Sequence, residues 1–262
     1  MRIVITLAFL LAAPLFAHGE ESPWRLGMAL GYGERGNPLV DSDDIPVLVD
    51  LDIAWFGERF FFDNGDLGFT FHNDRRMTTS IVARVRSDQV FFGRANFRFV
   101  NFPLSQPVGE AEEPVRVPDR NFAGEIGLEL LADGRWGYLQ ANAFHDVTGV
   151  HDGYELSLDY GIGLRSGRWY FEPGLRLAYK SAELNDYYWG IRFDESSPSL
   201  PVYEADGGLN TAVRLRASYH LSKRWALRMA IDYERLNDEI ASSPVVDRDN
   251  VVGYFAGLSV EF

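Results

Sequence analysis

No cysteine occurs among the 262 residues. That excludes a disulfide framework, a thiolate metal site, a cysteine nucleophile and a lipid-modified N-terminal cysteine. No stretch of 18 consecutive apolar residues occurs either, so no helical membrane span is expected. Positive charge is scarce: 25 Lys and Arg stand against 38 Asp and Glu, a formal net charge of −13. Such a balance speaks against nucleic-acid binding, and against binding an anionic membrane surface, through a basic patch. It does not speak against insertion into a membrane, because charge can sit in loops and in a lumen. Helix-forming runs of Ala, Leu, Glu and Lys are few. Aromatic residues, by contrast, reach 14%, and there are 25 glycines. Mean hydropathy is −0.16, which taken alone describes a water-soluble chain.

The N-terminus reads as a secretory signal. Arg2 supplies the positive start, 3–11 the apolar run, Pro14 a break and Ala17 a small residue before cleavage. Cleavage is expected after Ala17 or Gly19, so 1–19 is the signal peptide and 20–262 the exported domain. The apolar run is shorter than the roughly 20 residues a spanning helix needs.

The last twelve positions are the most informative. Val252, Tyr254, Ala256, Leu258, Val260 and Phe262 alternate with Gly253, Phe255, Gly257, Ser259 and Glu261. A period of two marks a strand, here with one apolar face ending in an aromatic. The same alternation predicts strands at 24–32, 45–55, 60–62, 67–71, 80–91, 122–131, 135–147, 153–165, 169–181, 209–221 and 225–236. With the last strand they number about twelve, and bacterial barrels have an even count. Asp63-Asn64-Gly65-Asp66 signals a hairpin. A Pro-rich, acidic loop is expected at 93–120, with an extra strand at 95–102 inside it.

In the second half the connectors alternate in length. Asp133-Gly134, Ser166-Gly167-Arg168 and Ser222-Lys223-Arg224 are tight, whereas 182–208 and 237–250 are long. Short turns at one end and long loops at the other are the asymmetry of outer-membrane barrels. Trp136, Tyr154, Tyr160, Trp169, Tyr179, Tyr219, Trp225, Tyr233 and Tyr254 fall where aromatic girdles belong. The opposite strand faces carry Glu125, Glu129, Glu155, Asp159, Arg165, Glu172, Arg176, Arg214, Arg216, Arg228, Asp232 and Glu234. An Arg facing lipid at mid-depth costs about 2–4 kcal/mol, so these side chains must point inward. Their mixed signs predict a lumen of paired charges. A soluble sandwich with the charges facing water is the competing fold, but it leaves the signal, the aromatic strand ends and Phe262 unexplained. The expected fold is therefore all-β: a transmembrane, antiparallel, up-and-down barrel with long extracellular loops and short periplasmic turns.

Motifs for chemistry are weak. Gly31-Tyr32-Gly33-Glu34-Arg35-Gly36 matches the dinucleotide pattern, but Asn37-Pro38 follows where a helix should open. It reads as a flexible loop. His145-Asp146 and His151-Asp152 flank a short loop without the fixed spacing of a zinc site. His72 and His220 have no Ser or Asp at strand-face spacing for a rim hydrolase. No cofactor, metal or catalytic group is expected. Asp186-Tyr187-Tyr188-Trp189-Gly190-Ile191 is the oddest stretch, read as a strand end and a loop packed into the lumen, or as a contact patch.

These last residues carry a resemblance. Tyr188-Trp189-Gly190-Ile191, Ser197, Leu200-Pro201-Val202-Tyr203 and Gly207-Gly208-Leu209 follow in order. Then come Trp225, Tyr233-Glu234-Arg235-Leu236, Ala241-Ser242-Ser243-Pro244-Val245-Val246 and the terminal Phe262. Gly149-Val150-His151-Asp152-Gly153 matches a Gly-His-x-Gly turn. The chain resembles the MipA/OmpV family of outer-membrane proteins, most clearly over 145–262, with Trp189 in place of the usual Phe and Ile191 in place of Val. The resemblance implies a non-enzymatic barrel of the Gram-negative outer membrane, surrounded by its lipid. It also implies a scaffold between a lytic transglycosylase and a peptidoglycan synthase. Other members are porin-like, so a narrow channel for small solutes is the alternative. Oligomeric state stays open.

Overall fold

A computed structural model describes residues 22–86, 88–92 and 118–262. The signal peptide at 1–19, the extra strand at 95–102 and most of the loop at 93–120 lie outside the described residues.

The strands are β1 (Trp24–Arg35), β2 (Ile45–Phe56), β3 (Phe60–Asp63), β4 (Asp66–Asn73), β5 (Met77–Val85), β6 (Gly124–Gly134) and β7 (Gly137–Asp146). They continue with β8 (Tyr154–Gly161), β9 (Leu164–Ser166), β10 (Trp169–Lys180), β11 (Gly208–His220), β12 (Trp225–Arg235) and β13 (Asn250–Glu261). β8 and β9 both pair with β10 and form one interrupted strand, so the wall has twelve staves. Each stave pairs antiparallel with its neighbour in the chain, and β13 returns to pair with β1 from Gly27–Glu261 to Arg35–Gly253. The barrel is closed, and no described helix is long and apolar enough to cross a membrane.

The alternation explains the closure. Leu30, Ile81, Leu128, Leu177, Ile231 and Leu258 all face outward and are exposed. Leu258, on the closing strand, leaves 41% of its surface uncovered. A continuous apolar belt of this kind is stable only in lipid.

Local departures have physical reasons. The Gly31 and Gly33 pair belongs to β1, which runs on to Arg35, instead of forming a flexible loop. A Cβ at either glycine would run into the backbone carbonyl of Ala256 or Tyr254, so the two residues let β13 come close enough to close the wall. β5 stops at Val85, short of the expected 91: Arg86 adds one more ladder bond to the Ala123 carbonyl, and the chain then turns inward through a 3₁₀ turn, Asp88–Phe91, where Asp88 pairs with Arg86 and Lys180. The stretch at 186–191 begins in a helix, α1 (Ala182–Trp189), whose N-cap Ser181 accepts from the Leu184 amide. A short second helix, α2 (Asp238–Ala241), is capped by Asn237.

The β3–β4 hairpin turns on Asn64 and Gly65, both at positive φ (50° and 103°). It is short. Asn64 extends the ladder on β2 by one step, accepting from the Ile53 amide (3.0 Å) and donating its own N–H to the Ile53 carbonyl (2.9 Å).

One end of the barrel carries the turns 57–59, 74–76, 135–136, 167–168 and 221–224. The other carries 36–44, 86–123, 147–153, 181–207 and 236–249, while the hairpin turn at 64–65 faces the same way but stops beside Ile53, well short of the outer end of β2 at Ile45. The short-turn end is the periplasmic one.

Candidate functional site

The outer half of the lumen is filled by charge. Arg84 donates through Nε to Glu125 (2.7 Å) and through a terminal nitrogen to Glu155 (3.3 Å). Arg86 reaches Glu125 (2.8 Å), Glu155 and Asp88 (3.2 Å). Lys180 meets Asp88 at 2.8 Å. Arg176 bridges Glu155 (3.0 Å) and Asp159 (2.9 Å), and Arg214 closes on Asp159. These groups come from β5, β6, β8, β10 and β11, and the chain beyond β5 adds Arg86 and Asp88. The carboxylates, Arg86 and Lys180 are buried, Glu125 at 1% and Arg86 at 4% exposed, while Arg84, Arg176 and Arg214 are partly buried. In a medium of low dielectric such a mesh survives only because each charge has several partners. Burial would push the Asp88 carboxyl up, but Lys180 and Arg86 outweigh it and hold the group far below the usual carboxylate range.

Above the mesh lies an apolar cap. Leu184, Tyr188 and Trp189 of α1 pack with Ile191 and Leu200, with Leu39 from the first outer loop and Phe91 from the inward turn, and with Leu236, Ile240 and Val245 around α2. Four outer connections thus build one small core across the mouth. Trp189, 1% exposed, sits 6.0 Å from Phe91 and 5.3 Å from Phe92 between ring centroids. Burial pushes the Tyr188 phenol up, and its hydroxyl donates to the Asn121 carbonyl (3.3 Å). Ile191 and Tyr203 pair through their backbones, and the Tyr203 hydroxyl donates to the Glu239 carbonyl (2.7 Å). Ser243 Oγ donates to the Trp189 carbonyl (2.5 Å). Arg120 grips Glu195 (2.7 Å) and donates to the Gly190 carbonyl (2.9 Å). Asn237 is tied to Asn210, which donates to Glu234 (2.7 Å). Pro201 is exposed on the cap's outer side.

Cap and mesh meet at His151. Its Nε2 lies 3.2 Å from Glu125, and its ring stands 6.0 Å from that of Tyr188. The loop that holds it is folded around Asp146, which accepts from the amides of Val150, His151 and Asp152 at 2.6–3.0 Å. His145 instead bonds the Gly153 carbonyl through Nδ1 (2.8 Å). Among the described residues no cluster of three His, Asp or Glu is placed for a metal ion.

The periplasmic half of the lumen is looser. Arg216 is 3.9 Å from Glu172, with 56% of its side chain exposed. Arg228 contacts Glu261 (3.1 Å) and Asp52 (3.9 Å). Asp232 lies higher, at the level of the mesh, opposite Arg214 in the β11–β12 register. His220, exposed at this end, faces the Arg168 carbonyl (3.3 Å), and His72 pairs with Asp74 (3.3 Å).

Of the charges read as lumenal from sequence, the structure brings Glu125, Glu155, Asp159, Arg176 and Arg214 together, sets Asp232 opposite Arg214 and leaves Arg216 and Arg228 below them. In the strand expected at 80–91, Arg84 and Arg86 alternate with Ile81, Ala83 and Val85 and so share its polar face, which fits their inward positions even though β5 ends at Val85. Asp88 and Lys180 were missing from the sequence reading.

A closed barrel with an apolar exterior, ionised residues inside and short turns at one end is an outer-membrane protein. The particular family follows from the chain itself: it belongs to the family described as MltA-interacting protein MipA, whose model matches residues 26–262. Two relatives from Escherichia coli (strain K12) cover nearly the whole length. The putative outer membrane protein YiaT is 25% identical over 100% of this chain and 100% of its own. The MltA-interacting protein is 24% identical over 99% of this chain and 98% of its own. Among solved structures, Acinetobacter baumannii OccAB3 aligns with a TM-score of 0.38 at 9% identity, over 93% of this chain and 65% of that one.

Proposed function

We propose that this barrel is a non-enzymatic scaffold that binds murein-remodelling proteins of the envelope, a lytic transglycosylase and a peptidoglycan synthase, and is not a solute channel. One observation carries the reading: the outer mouth is sealed by a buried apolar core resting on a buried ion-pair mesh. A permeant ion would have to displace Trp189 and Tyr188 and then break pairs such as Arg86–Glu125, each costing several kcal/mol. The mesh side chains spend their bonding capacity on one another, which suits a rigid plug better than acid–base work. The name of the E. coli relative supplies the kind of partner. Crosslinking in intact cells should co-purify a cell-wall enzyme with this chain. Recovery of none, together with stepwise conductance in planar bilayers, would replace the scaffold by the channel. In that case reversing charge at Arg214 or Arg216 should alter ion selectivity.

A further inference from the structure

The five periplasmic turns share a feature that net charge conceals. Each carries a cation: Arg59 in 57–59, Arg75 and Arg76 in 74–76, Arg135 in 135–136, Arg168 in 167–168, and Lys223 and Arg224 in 221–224. The same turns hold two anions, Glu58 and Asp74. Asp74 is engaged locally, accepting from the Arg76 and Met77 amides (2.8 and 2.9 Å) and pairing with His72. All seven cations are exposed, and none makes an ion pair among the described residues. Contrast the outer end, where Asp41, Asp43, Asp152, Asp194, Glu204 and Asp249 are exposed. In a chain of net charge −13 the five inner turns thus carry +5 between them (seven cations less two anions), with Asp133 and Glu261 exposed on the strand ends beside them.

Position says what the ring meets. In four of the five turns the last cation is followed directly by an aromatic: Arg59-Phe60, Arg135-Trp136, Arg168-Trp169 and Arg224-Trp225. With Trp24 and Trp55, five of the six tryptophans lie at this end. Indole rings settle at the headgroup boundary. One residue further along a strand is about 3.4 Å, so the guanidinium groups stand in the phosphate layer. Turns of two to four residues cannot lift them far into the periplasm toward a soluble protein.

We propose that this ring of turn cations binds anionic phospholipid headgroups of the inner leaflet, each arginine taking a phosphate while its aromatic neighbour anchors the strand end. The net charge of the whole chain does not decide this contact, because the turns themselves carry seven cations against Glu58 and Asp74, and screening confines the ring's field to about 8 Å at physiological salt. The ring holds whether or not the scaffold reading does.

The test uses the mature protein in non-ionic detergent, offered equimolar phosphatidylglycerol and phosphatidylcholine, with retained lipids counted by native mass spectrometry. The wild type should retain phosphatidylglycerol preferentially. A variant with Arg59→Gln, Arg135→Gln, Arg168→Gln and Arg224→Gln should lose that preference, about fivefold per cation removed. It should still migrate as a folded barrel in unheated gels. A second variant, Arg192→Gln with Arg248→Gln at the outer end, should keep the wild-type preference. Equal retention of both lipids by the wild type would overturn the proposal and turn the ring toward an acidic periplasmic protein. So would a fourfold variant that folds and keeps its selectivity.

Discussion

The outer and periplasmic halves of this barrel use the same residue types to opposite ends. In the outer half, buried carboxylates are multiply paired, as with Glu155 between Arg84, Arg86 and Arg176. In the periplasmic half the pairs are fewer and longer or more exposed, as with Arg216 and Glu172 at 3.9 Å and with Arg228 on exposed Glu261. Outer connections are long enough to fold over the mouth and build a core, whereas inner turns hold only the cations and aromatics of the rim. Charge in a barrel is therefore structural where loops exclude water, and interfacial where they cannot.

The largest expected effect that would break this comparison is at Glu155. Glu155→Ala takes one carboxylate from each of three arginines and should cost about 3–5 kcal/mol, read from urea unfolding in detergent micelles. A loss as small as that of an exposed pair would mean the mesh is wet. Next comes the cap: Leu184→Ala should cost about 2–5 kcal/mol as a buried Leu truncation, and bilayer recordings should show whether the mouth then leaks. Removing the N-cap of α2 with Asn237→Ala should cost about 1 kcal/mol, with earlier proteolysis at 236–249 as the local readout. Glu172→Ala, in the periplasmic half, should stay below about 1 kcal/mol. If it matched Glu155→Ala, the two halves would be energetically alike.

Acid sharpens the same contrast. The folded pKa of Asp88 is depressed below its unfolded value of about 3.9. Its stabilisation is therefore complete at neutral pH and is lost as pH falls below about 4 and on toward the folded pKa. The wild type should lose urea resistance between pH 5 and pH 3 (roughly the range over which an unfolded carboxyl titrates) more steeply than Asp88→Asn.

Legibility followed the range of the signal. The twelve staves could be read because a period of two needs only neighbouring residues, and the inward faces of β8, β10 and β11 could be read for the same reason. The cap was less legible. Tyr188, Trp189, Gly190 and Ile191 stood out as unusual, yet their helix could not be foreseen, since its burial depends on Leu39, Val245 and Ile240 arriving from other loops. The inner basic ring was hidden by an average: −13 over the whole chain says nothing of how charge divides between two ends.

By itself the sequence determined which residues face lipid and which face the lumen, and that about twelve strands build the wall. Alternation is local, and the cost of an ionised group in hydrocarbon admits only one choice of face. Tertiary structure decided which charges meet, how the mouth is sealed and where the chain leaves β5 for the interior. Those contacts depend on how the closed wall staggers its strands, and on loops that share a core only after the wall has brought their ends together.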